Sequence, residues 1–106
     1  MVTPSPFASP LLAQAAAPAP SPEQVAADQL MADENWEGAV TAFRKLLKSD
    51  PDNAANRASL GQAQHRGGNA KAARQSYLKA LENGFQPASR LRYRLALIAL
   101  ETGDSG

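Results

Sequence analysis

The chain has 106 residues, a length that suits one small domain. Its 11 basic and 10 acidic residues leave a net charge of +1, which provides no broad electrostatic attraction to nucleic acid or to a membrane surface. It contains no cysteine, which excludes disulfides and thiolate metal sites, and no stretch approaches the ~18 apolar residues that a membrane span requires.

Residues 1–20 are rich in alanine and proline and contain no charged residue. Clustered prolines remove backbone donors and fix φ, so we predict a disordered leader. The triplet Ala13-Gln14-Ala15 is similar to a signal-peptidase site, although the first basic residue of the whole chain is Arg44. A signal-peptide remnant would indicate a periplasmic or secreted protein, and an ordinary leader a cytoplasmic one. The sequence leaves the localisation undetermined.

Five helices are predicted from residue 21 onward, and no strand pattern competes with them. Ser21 caps the first helix, and Pro22 occupies its first helical position. Gln24 completes a capping box with Ser21. Apolar residues at helical spacing support each helix. The next three helices are capped by Asn35, Asn53 and Asn69, the helix stops are Asp50-Pro51, Gly67-Gly68 and Asn83-Gly84, and the fifth helix runs from about Ala88 to Glu101.

The sequence repeats itself at an interval of 34 residues: Asn35 is matched by Asn69, and Phe43 by Tyr77. The turn at Gly68 recurs at Gly103. Helix pairs that recur at a fixed interval predict a solenoid, because one pair alone cannot bury its apolar face and must stack on the next.

This pattern resembles the tetratricopeptide repeat family over about residues 21–104. In the second repeat, Leu60-Gly61 matches the family's leucine–glycine pair, and Ala73 and Tyr77 match its alanine and aromatic positions. The equivalent positions are Ala27, Leu30, Ala39, Phe43 and Pro51 in the first repeat and Leu95-Ala96 in the third. Glu34 stands where the turn usually has glycine, and Phe85 replaces the usual loop proline, which is expected to weaken the loop geometry.

The resemblance implies an all-α fold, a right-handed α-solenoid of antiparallel helix pairs. About two and a half repeats are expected after the leader (1–20), at 21–53, 54–87 and, partially, 88–106. Small residues are expected at the close helix crossings, namely Ala27, Ala39, Gly61, Ala73, Ala80 and Ala96.

The resemblance also implies a non-catalytic scaffold that binds a protein or peptide segment on a concave face, lined by the first helix of each pair. The candidate residues on this face are Gln24, Asp28, Met31, Ala58, Gln62, His65, Arg90, Tyr93, Arg94 and Leu97. An alternative is a docking or regulatory appendage of a larger, exported enzyme whose catalytic domain lies outside this chain.

The residues themselves indicate no enzyme, cofactor or metal site. His65 is the only histidine and is expected to lie in solvent. The sequence has no G-x-S-x-G motif, and no lysine–serine or lysine–threonine pair follows Gly67-Gly68 as a phosphate loop requires. We interpret Arg90 and Arg94, which share a helix face, as a solvated basic surface and not as a nucleic-acid site.

The fifth helix carries apolar residues on two sides, although the outer face of a terminal solenoid helix is normally polar. We therefore expect a following helix that is missing from this chain, self-association through this helix, or fraying. The inward stripe comprises Leu91, Leu95 and Ile98, and the second comprises Tyr93, Leu97 and Leu100.

Overall fold

A computed structural model describes residues 20–103, which form an all-α structure of five helices without a strand. The predicted leader, apart from Pro20, and the end of the partial third repeat lie outside the described residues. The helices agree with the predicted order and closely with the predicted bounds. They are α1 (Pro22–Ala32), α2 (Trp36–Ser49), α3 (Ala54–Arg66), α4 (Ala70–Glu82) and α5 (Ala88–Thr102).

Side-chain caps begin four of the five helices. The side chain of each cap accepts a hydrogen bond from the backbone N–H three residues further on, which satisfies one of the free donors of the first turn. The predicted capping box at α1 is only half formed, because Gln24 Nε2 donates to Asp28 Oδ1 at 3.2 Å, one turn further along the helix. The caps are Ser21, Asn35, Asn53 and Asn69, with bonds of 3.1, 3.0, 2.9 and 3.1 Å.

The same tight turn follows α1, α3 and α4. Its pivot residue has a positive φ of 59° at Glu34, 94° at Gly68 and 91° at Gly84. The next backbone N–H then donates to the carbonyl five residues earlier, the bond pattern of a Schellman motif. Glu34 thus adopts the conformation for which the family uses glycine, so the turn geometry is kept with a strained L residue at its pivot. The three bonds are Asn35 to Leu30 (2.9 Å), Asn69 to Gln64 (2.8 Å) and Phe85 to Ala80 (3.0 Å).

Each helix packs on the next in chain order, and the core divides into two clusters. Helix α3 contributes to both clusters and so joins the two complete helix pairs. This is the stacked arrangement predicted for a repeat solenoid. The first cluster comprises Ala27, Ala39, Phe43, Leu47, Leu60 and Ala63, and the second comprises Ala58, Ala73, Tyr77, Ala80, Leu91 and Ile98.

The expected small residues are buried in the two complete repeats and not in the third. Ala96 is exposed, so its predicted place at a crossing is wrong. Helix α5 turns Ile98 inward, and a residue two positions away lies about 200° round the helix, on the opposite side. The described residues contain no helix after α5 that Ala96 could cross. The five buried positions are Ala27, Ala39, Gly61, Ala73 and Ala80.

The two-sided character of α5 is confirmed. Leu91 and Ile98 are each 1 % exposed and pack in the second cluster, with Leu95 half-buried beside them. On the opposite side Tyr93 is 65 % exposed and Leu100 is 80 % exposed, whereas Leu97, also predicted there, is half-buried. An apolar surface of this kind is unusual at the end of a stack and requires an explanation.

Candidate protein-binding face

The predicted binding residues lie on the first helix of each pair, α1, α3 and α5. His65, in the last turn of α3, and Glu101, in the last turn of α5, join these helices through a contact of 2.6 Å between Nε2 and Oε1. The contact therefore brings the C-terminal ends of α3 and α5 together, so the predicted residues of these two helices lie on neighbouring repeats.

His65 does not lie in solvent, so this part of the prediction is wrong. Only 18 % of its side chain is exposed, against 55 % for Glu101. The partners are 36 residues apart, close to one repeat length, so the contact is made between equivalent ends of neighbouring repeats. A ligand that used the imidazole would first have to displace the carboxylate.

Helix α1 contributes an acidic end to the face. The Asp28 side chain is exposed and accepts the bond from Gln24, which is half-buried. Met31 is also half-buried and packs on the first core cluster. Asp28 is therefore the one of these three predicted residues that is fully available to a ligand.

Helix α3 contributes less surface than predicted. Ala58 is 8 % exposed and belongs to the second core cluster, so it does not line the face. Gln62 is half-buried and His65 is engaged with Glu101. Of the predicted residues of α3, Gln62 is therefore the one that is both accessible and not engaged with Glu101.

Helix α5 contributes a basic end with mixed burial. Arg90 and Tyr93 are exposed, whereas Arg94 and Leu97 are half-buried. Burial raises the pKa of the Tyr77 hydroxyl above its ordinary value, and the positive charge of Arg94 opposes that shift. The two arginines are therefore not equivalent, because Arg90 projects into solvent while Arg94 acts on a core tyrosine.

Two polar contacts near the core were not foreseen from the sequence. Ser76 Oγ donates to Gln64 Oε1 at 2.5 Å, and both side chains are buried, at 7 % and 6 % exposed. The guanidinium of Arg66 lies 5.6 Å from the ring centroid of Trp36, in cation–π geometry. Each contact joins two helices, so the apolar periodicity of a single helix does not predict it.

The face supplies groups for binding. Asp28 can accept hydrogen bonds and Arg90 can donate them, whereas Tyr93 lies on the outer side of α5. Within residues 20–103 no group of three or more histidine, cysteine, aspartate or glutamate side chains is placed to hold a metal ion. In the same range no helix is both long enough and apolar enough to cross a membrane.

Comparison with known families agrees with the architecture. The family model for the tetratricopeptide repeat matches residues 25–87. This range runs from the first turn of α1 through α4 to the connector before α5, and so covers both helix pairs except for the first three residues of α1. No curated protein sequence matches the chain. Since the matched range exceeds half of the 106 residues and coincides with the stacked helix pairs, the chain belongs to the tetratricopeptide repeat family.

Proposed function

We propose that this protein is a non-catalytic scaffold that binds a peptide or protein segment on the face formed by α1, α3 and α5. Tetratricopeptide repeats generally mediate protein–protein interaction, and the family is typically non-catalytic. The observation that supports the choice of face is the 2.6 Å contact between His65 and Glu101, because it joins the first helices of two neighbouring repeats.

The charge on this face changes sign along the stack. Helix α1 presents the exposed carboxylate of Asp28, and α5 presents the exposed guanidinium of Arg90. A bound segment with a basic residue toward α1 and an acidic residue toward α5 would complement both ends. Such complementarity sets orientation and association rate more than affinity.

The test is a selection of displayed random peptides against the protein. Selected peptides should lose affinity about fivefold or more, the effect of about 1 kcal/mol, in Asp28→Ala and in Arg90→Ala. Lys45→Ala, at an exposed position on the second helix α2, is the matched control and should change little. Peptides that bind both first-helix variants as tightly as the wild type would contradict the proposal.

A second role, self-association, is favoured by the exposed side of α5. Tyr93 and Leu100 lie there at 65 % and 80 % exposed, with exposed Ala96 between them and Arg92 beside them. We infer that a second copy of this chain covers this outer side. The alternative is a twofold-symmetric dimer, the commonest kind of homo-oligomer. It would pair α5 with α5 and bring the arginines of the two copies together, which is unfavourable.

The outer side of α1 is the complementary surface. Val25 is 54 % exposed there, and Ala32, two turns further along the same side of the helix, is exposed as well. Asp28 and Asp33 flank these two residues. All 11 basic residues of the chain occur from Arg44 onward, while five of the ten acidic residues precede it. An apolar surface flanked by carboxylates can therefore cover an apolar surface flanked by arginines, in a head-to-tail contact that continues the stack.

Two variants test the head-to-tail contact by blocking one end each. Val25→Glu and Leu100→Glu should each be monomeric in sedimentation. Their equimolar mixture should form a dimer that grows no further, because the two unblocked ends pair with each other and both outer ends of the dimer carry a substitution. A wild type that is monomeric at high concentration contradicts self-association. A dimer of Val25→Glu alone contradicts the head-to-tail arrangement.

The remaining alternative is a docking or regulatory appendage of a larger, exported enzyme. The coding sequence downstream of Gly106 distinguishes it from an independent scaffold. An open reading frame that continues into a hydrolase-like domain favours the appendage, and a stop codon after this segment favours the scaffold.

A further inference from the structure

A groove runs along α2 on the side of the molecule formed by the second helices, away from the first-helix face. One part, about 420 Å³, lies between α2 and α4 and is lined by Arg44 and Lys48 on one wall and Lys79 on the other. A second part, about 310 Å³, continues toward the start of α2 and is lined by Trp36. Both parts share Arg44 and Gln64, so together they form one surface, the α2–α4 groove.

The α2–α4 part of this groove is strongly cationic. Arg44, Lys48, Arg57 and Lys79 line it, and none of its lining residues is acidic. Lys79 pairs with Glu82 at 3.1 Å on the exposed surface. The other three cations have no carboxylate within 4.0 Å in the described part of the chain. A concave surface lined by uncompensated charge of one sign concentrates ligands of the opposite sign.

The groove is held in shape by polar contacts beneath the charges. Arg57 Nη2 donates to the carbonyl of Pro51 at 2.8 Å, which fixes the guanidinium at the wall. Its Nε–H is buried and has no hydrogen-bond partner among the described residues. The buried pair of Gln64 and Ser76 forms part of the floor. The cations therefore stand on a defined framework, and one of them retains an unpaired donor.

The spacing of the charges fits an extended peptide. Arg44 and Lys48 are one helical turn apart, about 6 Å along the axis. Side chains at positions i and i+2 of an extended chain lie on one side about 6.7 Å apart. Two carboxylates at alternate positions of a bound segment can therefore meet these two cations at once. The exposed amide of Gln75, also at the groove, can bond to the backbone of such a segment.

The other end of the groove has a different character. Trp36 and Val40 line it and are half-buried, and Glu37 beside them disfavours a further carboxylate. From Val40 to Lys48 the helix spans about 12 Å, close to the separation of the first and fifth side chains of an extended chain. The ligand therefore has an apolar side chain at one end and carboxylates at the other. Residues 1–19 cannot supply it, because they contain no acidic residue.

We infer that the α2–α4 groove is a second peptide-binding site, specific for an extended acidic segment of about five residues with an apolar side chain at the Trp36 end. This second site is independent of the site proposed for the first-helix face, because the two surfaces lie on different helices. A protein partner could therefore bind each surface separately.

The test uses the peptides Leu-Ala-Glu-Ala-Glu and its reversal, both blocked at the termini, because an extended segment can lie in the groove in either direction. Trp36 is the only tryptophan of the protein, so its fluorescence reports occupancy of the groove directly. One of the two peptides should change this fluorescence in a saturable manner and should bind more weakly as salt is raised. The double variant Arg44→Gln/Lys48→Gln should weaken binding about tenfold or more.

Lys45→Gln/Lys71→Gln is the matched control, because it removes the same charge from exposed positions of α2 and α4 outside the α2–α4 groove. The inference is overturned if this control weakens binding equally, or if Leu-Ala-Lys-Ala-Lys binds as well. Competition at equal concentration by inorganic phosphate or by a thymidine oligonucleotide would also overturn it. Asp28→Ala and Arg90→Ala should leave this binding unchanged, so failure here is separable from failure of the first-helix site.

Discussion

A Cβ atom on Gly61 of α3 would stand 2.8 Å from two ring carbons of Tyr77 in α4, Cδ1 and Cε1. Tyr77 is fully buried, with 0 % of its surface exposed. The aromatic ring thus lies directly against the backbone of the neighbouring helix, and glycine is the residue that permits this approach. The family's leucine–glycine and aromatic positions are therefore two sides of one contact.

Gly61→Ala is expected to lower the free energy of unfolding by about 1–3 kcal/mol, because the new methyl group overpacks the crossing. The sign of this change distinguishes a crowded crossing from an open one, since alanine at an open helical position stabilises a helix by about 1 kcal/mol relative to glycine. Urea denaturation followed by circular dichroism measures the change. In a Tyr77→Leu background the same substitution should cost less, and an equal cost there would place the strain elsewhere.

The stability of the fold should fall at alkaline pH through Tyr77. Burial raises the pKa of its hydroxyl, so the unfolded chain ionises first, at about pH 10. The contribution of the un-ionised Tyr77 hydroxyl to the free energy of unfolding is therefore complete below about pH 10. It is lost as the pH rises through the higher pKa of the folded state. Tyr77→Phe should flatten this alkaline decline in thermal denaturation. Tyr93→Phe, at an exposed position, is the control and should leave the decline in place.

Glu34→Gly is expected to stabilise the protein by about 1 kcal/mol, because Glu34 has φ 59° in a turn where an L side chain is strained. Glycine already occupies the equivalent pivot at Gly68, with φ 94°. Glu37→Gly, three residues further on in the first turn of α2, should instead destabilise by about 1 kcal/mol. Equal effects of the two variants in chemical denaturation would show that the turn geometry does not decide the outcome.

Glu101→Ala should loosen the end of α5 by removing its contact with His65 at 2.6 Å. Because Glu101 is 55 % exposed, solvent screening limits the loss of global stability to below about 1 kcal/mol. Hydrogen exchange should nevertheless become faster in the last turn of α5. Glu82→Ala removes an exposed pair within α4 and is the control. Unchanged exchange in α5 would show that the contact does not hold this helix in place.

The helices and turns of this protein follow from short-range rules that the sequence displays. The asparagine caps, the apolar periodicity and the glycine stops each depend on groups within about one helical turn. The 34-residue interval then predicts stacking, because one helix pair cannot bury its apolar face alone. The positions of Ala27, Ala39 and Gly61 at crossings were predicted from the resemblance to the tetratricopeptide repeat family and not from these rules alone.

The tertiary structure alone decided which groups the stack brings together. The inward stripe of α5 with Leu91 and Ile98 was predicted, whereas the exposure of Ala96 was not, because it depends on which helices pack against α5. The candidate face was predicted as a set of first-helix residues, yet His65 is engaged with Glu101, a contact between neighbouring repeats. The cationic groove along α2 was missed, because Arg44 and Lys79 lie on different helices and become neighbours only where two second helices pack against α3.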